Sequence, residues 1–198
     1  MSTFMESLQN RRSYYMIGRD PVISDQKIEE LLQQAVLHTP SAFNSQTSRL
    51  FLLLGEHHEK LWNIVEETLR AIVPAESFEP TEKKMKSFRD GYGTVLFFED
   101  YKPLEALIPN AGSYADKFPD WSNHTAGMHQ FVVWNLLEDA GYGASLQHYN
   151  SIIDDEVKKT WNIPEDWKLL AQMPFGSIKG QPGEKEFQPL DQRLFIYK

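Results

Sequence analysis

The sequence predicts an α+β fold. Stretches with helical spacing and short apolar runs suited to strands are mixed along the chain, without the strict alternation of a doubly wound sheet. Of the 198 residues, 41% are hydrophobic and 24% charged, ordinary globular usage that argues for a packed core rather than disorder. No internal repeat and no linker-like segment divides the chain, so a single domain over residues 1–198 is expected.

The elements follow in order. A short amphipathic stretch precedes Arg11. From Ser24 onward, Ile28, Leu31, Leu32, Ala35 and Val36 fall at i, i+3, i+4, i+7 and i+8, a helical stripe with Ser24 as N-cap and Pro40 beyond its end. The apolar run Ser48–Leu54, closed by Gly55, predicts a buried strand. Leu61, Ile64, Val65, Thr68, Leu69 and Ile72 repeat the helical spacing until Pro74. Lys83–Asp90 predicts a short polar helix and Thr94–Phe98 a second strand. Pro103, Pro109, Gly112 and Pro119 make residues 100–120 irregular, with room for a short helix at Leu104–Ile108.

Trp121–Ala140 predicts a long helix, apolar around much of its circumference through Met128, Phe131, Val132, Val133, Trp134, Leu136 and Leu137. Such a helix is buried on more than one side, in a core or at a subunit interface. Gly141 ends it. Gly143–Tyr149 predicts a third strand, Asp154–Trp161 a helix and Lys168–Pro174 a fourth strand. A Gly/Pro-rich tail closes with the β-prone Leu194-Phe195-Ile196-Tyr197.

Several chemistries are excluded. A net charge of −8 argues against general nucleic-acid binding, though not against a local basic pocket. With no cysteine, disulfides, thiolate catalysis, cysteine-ligated zinc and iron–sulfur clusters are ruled out. No apolar run reaches membrane-spanning length and the N-terminus lacks signal-peptide features, so a cytoplasmic location without membrane attachment is expected. His57 and His58 are adjacent, about 100° apart on a helix, and His124 and His129 are five apart, so no metal site is expected. The Gly-x-Ser-x-Gly elbow, the P-loop and the full dinucleotide fingerprint do not occur.

Three segments offer binding chemistry. In Arg11-Arg12-Ser13, guanidinium forks and a hydroxyl suit phosphate oxygens, although two arginines after a helix also suit solvent and the helix dipole. Lys185, in a glycine-rich loop, and Arg193 are further phosphate candidates. In Pro40-Ser41-Ala42-Phe43-Asn44-Ser45-Gln46, Asn44 and Gln46 each carry a donor and an acceptor, which suits the edge of a polar heteroaromatic ring; turn chemistry is the alternative, above all for Ser41. In Gly141–His148, backbone N–H groups near residues 146–148 could face such a ring, or the stretch could be a helix stop followed by a core strand.

In their order and spacing, together with Met173-Pro174-Phe175-Gly176, these segments resemble the nitroreductase family of flavin enzymes, its short bacterial and fungal branch in particular. The resemblance implies a homodimer whose central antiparallel-type sheet is flanked by helices, with a C-terminal arm reaching across to the partner and flavin mononucleotide (FMN) at the seam. It implies that Arg11 and Ser13 hold the phosphate and ribityl chain with Arg12 beside them, and that Lys185 and, less centrally, Arg193 complete the phosphate site. Pro40, Ser41, Ala42 and Asn44 would reach the flavin from the other subunit, supported by Gln46. Ser145, Leu146, Gln147 and His148 would line the ring. Tyr15 stands where many relatives place a cation near N1 and O2 of the ring. The implied activity is ping-pong transfer of hydride or electrons from NADH or NADPH, through flavin N5, to nitroaromatic or quinone acceptors. Phe43, Tyr14, Trp121 or Phe118 would wall the slot. Tyr15 in place of a cation favours a different reading, a flavin-binding redox sensor or storage protein with little turnover.

Overall fold

The computed structural model describes residues 3–198. Its elements are α1 (Phe4–Asn10), β1 (Ile17–Gly18), α2 (Asp25–His38), β2 (Ser48–Leu54), α3 (Gly55–Arg70), α4 (Glu79–Arg89), β3 (Gly93–Asp100), α5 (Lys102–Leu107), α6 (Phe118–Asp139), β4 (Tyr142–Ala144), α7 (Asp154–Trp161) and β5 (Trp167–Ile178). The α+β expectation holds: the strands pair antiparallel in the order β1-β5-β3-β2, with β4 also on β5.

The sheet separates two apolar layers. On β3, Leu96 and Phe98 face a core built with Leu61, Trp62 and Val65 of α3, Met85 and Phe88 of α4, and Val157 of α7. Val95 and Phe97 face the opposite core, with Ile28, Leu32 and Ala35 of α2 and Val133 and Leu137 of α6. Alternation of side chains along a strand makes this possible, which is why β3 is buried along its whole length. Strand β5 keeps to the rule only because of a bulge. Phe97 pairs with Ala171 but Phe98 pairs with Leu169, so Leu170 is an extra residue. That residue flips the parity, placing Leu169 in the first core while Ala171, Met173 and Phe175 lie in the second.

Ser24 caps α2 by accepting from the Lys27 N–H (3.3 Å). Gly141 adopts φ +92° just beyond α6, a backbone state that an L side chain rarely takes. Two expectations are corrected. Only Tyr142–Ala144 of the predicted 143–149 strand is a strand; beyond it a single bridge, Gln147 to Gln172, returns to β5. Leu194–Tyr197 forms no strand in this chain, where these residues are exposed and no neighbouring strand takes their hydrogen bonds. β1 escaped the sequence analysis because two residues cannot show a period.

Candidate functional site

The N-terminal segment is aimed by its neighbours. Arg11 leaves α1 with its N–H still donating to the Ser7 carbonyl (2.9 Å). The chain then runs beside β4: Ser13 bridges Ala144, and the Tyr14 N–H donates to the Ala144 carbonyl at 2.9 Å. Gly143 permits this approach, since a Cβ there would stand 2.8 Å from the Tyr14 side chain. Arg11 is thereby laid on α6, its guanidinium carbon 4.4 Å from the centre of the Trp134 ring.

A cavity of about 340 Å³ opens at this point, lined by Arg11, Ser13, Gly127, Gln130, Phe131, Trp134 and Leu146. It brings together one member of the basic motif, its serine and one residue of the 145–148 segment. None of the four α6 residues was among the candidate site residues, although Phe131 and Trp134 belong to the apolar set of the predicted helix. Their signal was available, because 127, 130, 131 and 134 stand at i, i+3, i+4 and i+7 on one helix face. It was hidden by the apolar residues on the other faces.

Glu138, one turn beyond Trp134, is half-buried. Burial pushes its carboxyl up to about 7 against the opposing pull of the Arg11 cation, and the Tyr14 hydroxyl hydrogen-bonds to it. Burial, then the charge of Glu138, raises the Tyr14 hydroxyl. Glu138 Oε2 and Trp134 Nε1 are buried with no hydrogen-bond partner among the described residues.

Arg12 points elsewhere. It donates to the Gly183 carbonyl at 2.5 Å and so ties the tail loop to the end of α1. Arg12 and Lys185 line a second cavity of about 680 Å³ with Leu8, Gln9, Glu184 and Phe187. Arg193 lines neither cavity and is exposed on the tail.

In the 145–148 segment, the Ser145 N–H donates to the Pro174 carbonyl (3.2 Å) and the Gln147 N–H to the Gln172 carbonyl (2.7 Å). The backbone of Gln147 is therefore committed to the sheet. Leu146 and His148 flank this bridge and lie outside any strand. The Gln147 side chain is buried and donates to Ser145 Oγ at 3.1 Å, while His148 is exposed.

The Pro40–Gln46 loop is strained. Phe43, Asn44 and Gln46 have φ of 55°, 53° and 51°. Asn tolerates that region, whereas for Phe and Gln it costs about 1 kcal/mol or more each. Local bonds hold the loop: the Gln46 N–H donates to Ser41 Oγ (3.0 Å), and Arg49 donates to the Gln46 carbonyl (2.7 Å). The Ser41 hydroxyl thus serves the turn, as does the Gln46 amide, which donates to the Asn44 carbonyl at 3.4 Å. Pro40 and Asn44 are exposed. The Phe43 ring packs on Phe118 and Trp121, with centroids 5.3 and 6.0 Å away.

Beneath the loop lies Glu99, which is fully buried. Its carboxylate accepts from Ser48 Oγ and, at 2.5 Å, from Ser122 Oγ, which also lies 3.1 Å from Thr47 Oγ1. Nothing in the sequence marks this carboxylate, which stands beside Asp100 at the polar end of β3.

Ala42 and Phe43 line a third cavity, of about 300 Å³, with Trp121, His124, Thr125 and Met128. Within one chain this cavity and the Arg11 cavity take different faces of α6. Tyr15 lies in neither: its ring is half-exposed, 6.5 Å from Phe88.

Comparisons with known proteins bear on these cavities. The model of the nitroreductase family matches residues 8–177. HBN1 of Saccharomyces cerevisiae is 34% identical over 197 residues, covering 98% of each chain. CinD of Lactococcus lactis, a nitroreductase solved in complex with nicotinic acid, is 43% identical, with a TM-score of 0.91 over 99% of this chain and 100% of that one. The same protein has been solved with chloramphenicol and with 4-nitrophenol. A protein of Desulfovibrio desulfuricans, solved in complex with FMN, shares the fold at 16% identity and a TM-score of 0.71, over 100% of this chain and 98% of that one.

Proposed function

Since the chain belongs to the nitroreductase family, we propose that it is an FMN-dependent oxidoreductase carrying hydride or electrons from NADH or NADPH to small aromatic acceptors, nitroaromatics or quinones, in a ping-pong sequence. The observation that carries this reading is the Arg11 cavity, where a guanidinium, a hydroxyl and an aromatic wall converge. That donor set fits a phosphate at one end and an apolar ring system beside it. FMN, when bound, supplies reversible hydride chemistry at N5.

Arg11 and Ser13 hold the phosphate, and Lys185 approaches from the loop that Arg12 tethers. Leu146 packs against the ring, with its N–H and that of His148 free of the sheet. Ala42 lines a cavity on another face of α6 and Asn44 is exposed on the same loop, so a second copy of the chain brings them to the flavin. A homodimer is therefore part of the proposal, as is a single domain over the full length. The aromatic cluster of Phe43, Phe118 and Trp121 offers flat rings on which donor and acceptor stack in turn, excluding water from the transfer. The small aromatics held by CinD support an acceptor of that shape. No helix among the described residues is long and apolar enough to cross a membrane, and we place the enzyme in the cytoplasm.

The test is steady-state consumption of NADH or NADPH by the FMN-loaded protein with 4-nitrophenol or a quinone as acceptor. Parallel initial-rate lines, with turnover far above a free-FMN control, are expected. Rates equal to that control would favour the sensor or storage reading, which Tyr15 in place of a cation supports.

A further inference from the structure

We propose that Glu138 is a proton-linked positioning residue for Arg11: its charge favours the guanidinium's seat over Trp134 in the ligand-free chain, and it takes up a proton when a phosphate takes over that guanidinium's charge. The inference rests on the reading of Arg11 as the phosphate anchor.

The geometry brings three groups together. Arg11 leaves the end of α1 and stacks on Trp134. Glu138 stands four residues after Trp134, on the same face of α6, and the Arg11 charge acts on it. One carboxylate oxygen of Glu138 is buried with no partner among the described residues. A buried carboxylate oxygen without a donor is costly if charged and tolerable if protonated. The charge of Arg11 is what keeps the ionised form accessible.

The surroundings contribute little else. From the end of α1 and the segment after it come Arg11, the Tyr14 hydroxyl, and Arg12, whose charge acts on Tyr14. Asp139, next along α6, turns to α1, where Ser7 Oγ lies 3.5 Å from it and where it acts on Glu6. Tyr142, the titratable residue of β4, donates to the Ile23 carbonyl instead (3.4 Å). Helix α2 presents Ile28, Leu32 and Ala35 to this core.

A phosphate monoester carries a charge of about −1.5 to −2 at neutral pH. Once it binds, the field of Arg11 at Glu138 is cancelled and a second anion stands nearby. Both effects favour the protonated carboxyl. Burial already brings that carboxyl to about 7 in the ligand-free chain, so the uptake falls in the physiological range. Binding then weakens as pH rises above neutrality, because a proton must be drawn from an increasingly dilute pool.

The experiment is calorimetric titration of FMN into the full-length chain stripped of flavin, at pH 7.5, in two buffers of different ionisation heat. The phosphate itself is mostly dianionic there, with a second pKa of about 6, so its own titration adds little. Uptake of roughly half to one proton per FMN is expected for the native chain, and none for Glu138→Gln. Between pH 6.5 and 8.5, native affinity should fall by up to about tenfold per unit while Glu138→Gln stays flat. Tyr14→Phe removes a donor to the carboxylate and should reduce the uptake at pH 7.5. No net uptake by the native chain, or the same uptake by Glu138→Gln, overturns the proposal. Arg11→Ala separates the two levels. Unchanged FMN affinity in that variant defeats the phosphate reading and this inference with it. Weakened affinity, with no proton taken up by the native chain, defeats this inference alone.

Discussion

The Arg11 guanidinium carbon lies 4.4 Å from the centre of the Trp134 ring, so the cation of the N-terminal motif is seated on the long helix before any ligand arrives. A cation over an indole gains roughly 0.5 to 2 kcal/mol, and a pre-placed side chain loses less freedom on binding. Trp134→Leu should therefore weaken FMN binding by about 2- to 30-fold, with Trp134→Phe recovering most of it. Quenching of flavin fluorescence on titration would measure both. Equal affinities for the native chain and Trp134→Leu would show that the stacking does not prepare the site.

Glu99 ties the floor of the 40–46 loop together. Replacing it with Ala strips a shared acceptor from the buried hydroxyls of Ser48 and Ser122 and leaves a void between β2, β3 and α6. A loss of about 3 kcal/mol is expected. Because Thr47 and Ser48 directly follow the strained turn, hydrogen exchange over residues 41–47 should accelerate more than in β5. Denaturant unfolding gives the first quantity and exchange mass spectrometry the second. Uniform acceleration across the chain would make Glu99 a stabiliser with no particular hold on the loop.

His58 makes stability depend on pH. Its ring is 2% exposed, its Nδ1 lies 2.9 Å from Thr94 Oγ1, and burial pushes it down to about 4. The unfolded chain binds this proton near pH 6.5, the folded chain only near 4, so the unfolded state carries more protons in between. The contribution is present in full above 6.5 and is lost as pH falls through that window, amounting to about 3 kcal/mol at most. Urea unfolding from pH 7 to pH 4 should show a slope that His58→Gln reduces. Parallel slopes for the two proteins would remove His58 from the account.

The sheet and its helices were legible because their signals are periodic and local. The stripe of Ile28, Leu32 and Ala35 became the buried face of α2, and Ser24 became its cap. The candidate binding segments could be read as chemistry but not as geometry. No pattern in Arg11-Arg12-Ser13 tells which arginine enters the cavity, because that depends on Tyr14 pairing with Ala144, far along the chain. Glu138 and Glu99 were invisible for a related reason. A carboxylate in sequence looks solvated until packing buries it. The 143–149 strand failed because propensity does not reveal where β5 stops supplying partners.

The tail makes the last prediction. Phe187, Leu190, Leu194, Phe195, Ile196 and Tyr197 are 60–94% exposed, a concentration of large apolar side chains that an isolated soluble chain does not maintain. β2 ends the sheet, so its outer edge lacks a neighbouring strand among the described residues. Beside it, Leu32, Val36 and Leu37 of α2 and Leu50 and Leu52 of β2 line an apolar groove of about 480 Å³. A β-prone arm and an edge strand are complementary, and a second copy would supply each with the other. Sedimentation at micromolar concentration should give a dimer for the native chain. Deleting residues 190–198 should raise its dissociation constant at least about tenfold, the equivalent of burying one apolar side chain. FMN affinity should fall in parallel if, as proposed, Asn44 reaches the Arg11 cavity from a second copy of the chain. A native monomer would refute both the arm and the shared site; a truncated chain that still dimerises and still binds FMN would refute the arm alone.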